Sequence, residues 1–255
     1  MSKYTDSPYR YIPDELVEEY TMNGKIPIFD WWIDASKKNG VQWTNEYIKE
    51  YCNRFTPDNI RNATEGESPY GHDVVADMLK SFEKYNIKNK TVAVVGSETP
   101  WIEAILINLN NKVTTIEYNV PETNYDNLVC EDYFTFFEKN QLPFDAIVTF
   151  SSVEHSGLGR YGDPLDPNGD FKTMDAIYNN LKSNGILVWG APVGKDAFTW
   201  NVHRVYGEIR LPLLFRKFTE IDWFGISKET LFNVPLGNNG HHPVVVLKRC
   251  EEGII

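Results

Sequence analysis

Cysteine is scarce in this chain. The three present, Cys52, Cys130 and Cys250, are far apart and odd in number. They show neither a zinc spacing nor a disulfide framework, which points to a reducing compartment and a cytoplasmic protein. No stretch approaches the ~18 consecutive apolar residues of a membrane span. The opening "MSKYTDSPYRYIPDELVEEY" has no apolar run, so no signal peptide is expected. Positive charge is also short: 25 Lys and Arg face 36 Asp and Glu, a net charge of −11. Such a surface repels phosphate backbones and anionic lipid, so neither nucleic acid nor membrane is the expected partner. Aromatics, in contrast, are plentiful, with 7 Trp, 14 Tyr and 14 Phe. They suit a stable core or an aromatic-lined pocket.

The chain changes character near residue 68. Residues 1–68 read as an irregular, partly helical cap. "TNEYIKEYCNRF" has Thr44 as a cap and apolar residues at helical spacing. The cluster "IFDWWID" is expected to pack the cap against the main core, with a ligand shelf as the alternative. Residues 69–255 alternate helix and strand. "TVAVV" is a short, unbroken apolar run rich in β-branched residues, as in a parallel strand buried on both faces. "HDVVADMLKSFEKY", "WIEAILINLN" and "FKTMDAIYNNLKSNG" read as helices, the last ending at Gly185. Strands are expected at 91–95, 112–117, 145–150 and 186–190, giving a doubly wound α/β, Rossmann-like, mostly parallel sheet. No helix of useful length separates "FTEIDWFGIS" from "HPVVVLKR". These two are expected to form a terminal antiparallel pair near 219–225 and 243–248. That ending is the layout of class I S-adenosylmethionine (SAM) methyltransferases.

Glycine is missing where a dinucleotide site would need it. The turn after the first strand, "VVGSETPW", has only Gly96. Dinucleotide enzymes use further glycines so that a pyrophosphate can nest on the helix N-terminus. Here Ser97, Glu98 and Pro100 stand in that space, and Glu98 would repel a pyrophosphate while tolerating a cationic sulfonium. Glu117 follows Gly96 by 21 residues and ends its strand, where a carboxylate can accept from ribose hydroxyls. It also reads as a solvated strand-end carboxylate. Asp132, beside Glu131 in an expected loop, is a candidate for the adenine amino group or for a helix cap. "FDAIVTFSSVEHSGLG" resembles the methyltransferase stretch in which a strand led by Asp, here Asp145, ends in small residues and a Glu-His pair, and the resemblance implies that the backbone around Phe150, Ser151 and Ser152 passes beneath the methionine part of the cofactor.

Together, "VVGSETPWIEA", "VTTIEYN", "SSVEHSGLGRYGDPLDPNGD" and "NVHRVYGEIRLPLLF" resemble domain-of-unknown-function family 268, a nematode-type family with a methyltransferase-like fold. The resemblance covers roughly residues 68–226 and implies a SAM site but no particular substrate.

Methyl transfer to a hydroxyl needs an in-line nucleophile and a group that takes its proton. His155, Asp163 and Asp166 are the candidate bases, lying in or before the turn-rich "GRYGDPLDPNGD". Asx turns explain much of that stretch, and its carboxylates are also candidate ligands for a divalent cation, although the EF-hand pattern fails. Arg160, Asn201, His203, Arg204 and Tyr206 are the candidate acceptor-binding residues, a mixture suited to sugar hydroxyls. Another reading of "NVHRVYG" is a helix start. His241 and His242 read as loop residues. The function expected is SAM-dependent O-methyl transfer to a small molecule or glycan, with S-adenosylhomocysteine as product. The alternatives are a non-catalytic binding module on the same fold and an NAD(P)-dependent oxidoreductase, which the missing glycines and the terminal hairpin oppose.

Overall fold

The computed structural model describes residues 4–5, 7–37, 41–64, 68–138, 143–233 and 241–250. Near the N-terminus lie a short helix α1 (Val17–Tyr20) and strand β1 (Ile28–Trp31), followed by helices α2 (Asn45–Arg54) and α3 (Pro57–Asn62). Thr44 caps α2 by accepting from the Tyr47 N–H, and Thr56 caps α3 by accepting from that of Asn59. The alternating part runs α4 (His72–Lys84), β2 (Thr91–Val95), α5 (Trp101–Asn108), β3 (Lys112–Glu117), β4 (Leu128–Asp132), α6 (Tyr133–Glu138) and β5 (Phe144–Phe150). After a one-turn 3₁₀ helix, Val153–His155, come α7 (Gly169–Asn180), β6 (Leu181–Gly190), β7 (Ala197–Asn201), β8 (His203–Val205) and α8 (Arg210–Leu214). The chain finishes with β9 (Phe218–Phe224), α9 (Lys228–Phe232) and β10 (Val244–Arg249).

Seven strands form one sheet in the order β4-β3-β2-β5-β6-β10-β9. The first five are mutually parallel, and β10 runs antiparallel to both β6 and β9. This is the expected doubly wound sheet with its antiparallel ending. Part of the connection between β9 and β10, residues 234–240, lies outside the described residues. The two-residue period of a strand divides β2 between two cores. Val92 and Val94 pack with Trp43, Ile48 and Phe82, while Ala93 and Val95 pack with Ile147, Met174 and Trp189.

Three local expectations are corrected. Glu131 and Asp132 belong to a strand rather than a loop, because β3 presents a free parallel edge and buried Leu128 anchors β4 there. The helix expected to reach Gly185 stops at Asn180, since Leu181 turns extended (φ −90, ψ 143) and is fully buried as the first residue of β6. The "IFDWWID" stretch is not core packing: β1 is exposed along its length. It pairs in parallel with β7, and β7 pairs antiparallel with β8, in a separate three-stranded sheet.

The first 68 residues are used in two ways. Trp43, Ile48, Phe55 and Ile60 sink into the main core, whereas Tyr20 and Ile26 join Leu158, Leu165, Phe198 and Trp200 in a separate apolar cluster. The loop after β5 therefore rests on that cluster.

Candidate active site

The sheet order reverses between β2 and β5, and ligands of open α/β sheets bind beyond the carboxyl ends of strands at such a switch point. A cavity of about 370 Å³ opens there. That lies within the ~300–1,000 Å³ range of small-ligand sites.

One wall of the cavity is assembled by β2 and β3. Gly96 has φ +78, and a Cβ on it would stand 2.0 Å from Ser152 Oγ, so the turn can hold only glycine while the two strand ends close on each other. The Ser97 N–H donates to Glu117 Oε2 at 2.7 Å, and the Tyr118 N–H donates to Oε1 at 2.9 Å. Burial raises the Glu117 carboxyl, against the pull of these backbone donors. Beneath the turn, Glu103 is fully buried between Ser97 and Thr115, with the Thr115 hydroxyl donating at 2.8 Å. Desolvation pushes Glu103 up to about 7. Tyr118 and Tyr133 stand with ring centroids 4.4 Å apart on the same wall. Gly96, Ser97, Glu98, Glu117, Ser151 and Ser152 all line the cavity. Asp132 is not among the lining residues; its Oδ1 accepts from the Thr135 N–H in the first turn of α6.

The opposite wall comes from the loop after β5 and from the small sheet. His155, Arg160 and His203 reach the cavity. His155 Nδ1 lies 2.5 Å from the Val202 carbonyl, which fixes the proton on Nδ1 and leaves Nε2 as an acceptor. Burial and the charge of Arg160 depress His155 to about 3 and His203 to about 4, so both rings are neutral at pH 7.

The other expected residues sit behind this wall. Asp163 is buried and accepts from the Gly157, Gly159 and Tyr161 N–H groups, which shapes the loop. Asp166 accepts from the Asn168 N–H and pairs with Lys172. Asn201 holds the Ile33 N–H at 2.9 Å. Arg204, 3 % exposed, donates to the carbonyls of Glu154 and Ser156 and reaches those of Asp166 and Pro167. Tyr206 donates to Asp170, which also forms two hydrogen bonds with Arg210. "NVHRVYG" thus contains strand β8 and clamps the loop from below, with His203 alone among its polar side chains on the cavity. Among the described residues, no group of three or more His, Cys, Asp and Glu side chains is gathered to hold a metal ion.

Several lining residues escaped the sequence reading: Trp31, Tyr70, Trp101, Glu154, Tyr161 and His242. His242, read as a loop residue, packs its ring against Tyr70 and Phe150. Glu154 had a signal in the Glu-His pair after β5. Trp31 had one in the aromatic cluster "IFDWWID", which could also have formed a ligand shelf. Tyr70, Trp101 and Tyr161 had none, because they come from segments far apart in the chain.

The family described as "Caenorhabditis protein of unknown function, DUF268" matches residues 89–243. The chain belongs to this family. The matched region starts later and ends later than the motifs alone suggest, and it takes in β2 to β9 and the approach to β10. Among solved structures, the chain is similar to the 1,6-didemethyltoxoflavin-N1-methyltransferase of Burkholderia thailandensis, crystallised with 1,6-didemethyltoxoflavin and S-adenosylhomocysteine. Identity is 13 % and the TM-score 0.52, over 87 % of this chain and 99 % of that one. It is also similar to the N-methyltransferase NodS of Bradyrhizobium japonicum WM9, at 13 % identity and a TM-score of 0.44, over 68 % of this chain and 95 % of that one. At such identities the first likeness shows the fold, that of the class I methyltransferases. No curated protein matches the sequence. No helix among the described residues is long and apolar enough to cross a membrane.

Proposed function

We propose that this family member binds S-adenosyl-L-methionine in the cavity and transfers its methyl group to a hydroxyl of a small molecule or glycan, releasing S-adenosylhomocysteine. The observation that carries this reading is the placing of Gly96 and Glu117 at neighbouring strand ends on one cavity. The residues fit the cofactor. A carboxylate offers about four acceptor positions, so Glu117 keeps capacity for a ribose hydroxyl beyond its backbone donors. Tyr118 and Tyr133 offer flat apolar surface for adenine. Glu98, Glu117 and Glu154 on the cavity favour a cation over a pyrophosphate. When bound, the cofactor supplies an electrophilic methyl group on a positively charged sulfur.

The acceptor class rests on the opposite wall. Neutral His155 and His203 offer hydrogen bonds without charge, and Arg160 adds fixed donors. Trp31, 51 % exposed, presents a flat face at the mouth of the kind sugar rings pack on.

Calorimetry tests the reading. SAM and S-adenosylhomocysteine should bind, and NAD(H) should not. Glu117→Ala should weaken SAM at least tenfold, because a hydrogen bond to a charged acceptor is worth about 1.5–3 kcal/mol. Unchanged SAM affinity in a folded Glu117→Ala protein would refute the assignment.

A further inference from the structure

Glu154 is anomalous in this site. It is fully buried, it lines the cavity, and neither carboxylate oxygen has a hydrogen-bond partner. A buried carboxyl without partners is costly, so a native protein that keeps one has a use for it. Around it, Oε1 stands 3.6 Å from His155 Nε2, beyond hydrogen-bond reach. The Ser151 hydroxyl, from the end of β5, favours its charged form without reaching hydrogen-bond geometry. Arg160, from the following loop, and Arg204, from β8, do the same through their charge. Arg160 Nε is itself buried without a partner. The remaining titratable neighbours are the phenols of Tyr70, Tyr161 and Tyr206, all held neutral by burial. Glu98 and Glu117 line the same cavity from the β2 and β3 side, and burial raises Glu117 as well. For Glu154, burial outweighs the cations and sets it at about 7.

We infer that Glu154 faces the acceptor nucleophile and takes its proton during methyl transfer. This rests on the cavity being a SAM site. The step balances: a lone pair of the acceptor oxygen bonds the methyl carbon, the carbon–sulfur pair leaves on sulfur, and the hydroxyl proton passes to a carboxylate oxygen of Glu154. His155 is the weaker candidate, since an imidazole held at about 3 is a poor base at pH 7. With Nδ1 tied to the Val202 carbonyl, its Nε2 orients the same acceptor hydroxyl or hydrogen-bonds the protonated carboxyl after transfer.

The test needs no acceptor. Two probes are compared by calorimetry: S-adenosylhomocysteine, and sinefungin, in which an amine-bearing carbon replaces the methylated sulfur. The amine sits where the methyl group would be and reports a carboxylate facing it. The wild type should prefer sinefungin, and the preference should grow from pH 6 to pH 8 as Glu154 ionises. Glu154→Gln should lose at least tenfold of that preference while S-adenosylhomocysteine affinity stays within about twofold. A preference that survives in Glu154→Gln, or an equal loss for both probes, overturns the inference and leaves the SAM site standing. Failure of either probe to bind the wild type overturns the SAM reading and this inference with it. If Glu154→Gln does not fold, a carboxyl ¹³C titration of the wild type decides. Half-protonation near pH 7 supports the inference, and an ordinary value below pH 5 overturns it.

Discussion

The two sides of the cavity are built differently. On the cofactor side, Glu117 is held by backbone N–H groups of Ser97 and Tyr118, and Gly96 meets Ser152 directly. Adjacent strand ends suffice, and the contacts are few. On the proposed acceptor side, the loop after β5 is shaped by Asp163 within it and also by residues far away in sequence that reach into it. Arg204 holds its carbonyls, Asp170 binds Arg210 and Tyr206, and the Ala35 N–H donates to the Arg160 carbonyl at 2.9 Å. Residues proposed to bind ligand on the first side are nearly separable from those that hold the fold. On the second side they are interlocked.

Asp170→Ala should break this contrast most forcefully. The change strands Arg204 and Arg210, each 3 % exposed, without their shared carboxylate. Removing one partner of a buried ion pair costs about 3–5 kcal/mol. Denaturant unfolding should show that loss. Glu117→Ala, across the cavity, should lower affinity with little change in the unfolding midpoint. Equal stabilities for Asp170→Ala and wild type would mean that the clamp is not what shapes the loop.

Proton linkage should distinguish Glu103 from His203 by sign. Glu103 rises from 4.5 to about 7 in the folded protein. Between those values the unfolded chain has lost its proton and the folded one has not, so this group erodes stability as pH rises. His203 falls from 6.5 to about 4. Between those values the unfolded chain is protonated and the folded one is not, so this group erodes stability as pH falls. From pH 4.5 to pH 6.5, Glu103→Gln should gain on the wild type with rising pH, and His203→Gln should gain with falling pH. Each difference should grow by up to about 3 kcal/mol across the full gap between its two values. Slopes of the same sign in the two variants would erase the distinction.

Trp31→Ala gives the smallest effect. Half-exposed on the edge strand β1, Trp31 should change stability by less than about 0.5 kcal/mol and leave S-adenosylhomocysteine affinity unaltered. A clear fall in that affinity would move Trp31 to the cofactor side.

The sheet was readable because its signal is local. "TVAVV" has four consecutive apolar residues, Val92 to Val95, to bury on two faces, and the helix-free gap before "HPVVVLKR" leaves antiparallel pairing as the simple choice. β4 was hidden, since Val129 is 53 % exposed on an edge and its strand has little apolar pattern. The cofactor-side candidates could be named from spacing because a strand end and the turn after it are consecutive in sequence. Arg204 and Asp163 could not be placed that way. A buried arginine and a solvent-facing one look alike in a sequence until the carbonyls they bind are brought together.

The sequence by itself determined the alternating pattern, the single-glycine turn at Gly96 and the carboxylate at the end of β3. Periodicity, positive φ and strand termination act over a few residues. Only the tertiary structure decided which polar groups face the cavity. It turned Asp163 and Arg204 inward to hold the loop, brought Trp31 and His242 to the rim, and left Glu154 buried without a partner. The reason is that burial and hydrogen-bond satisfaction belong to the assembled packing, in which a side chain's role depends on neighbours that the chain supplies from far away.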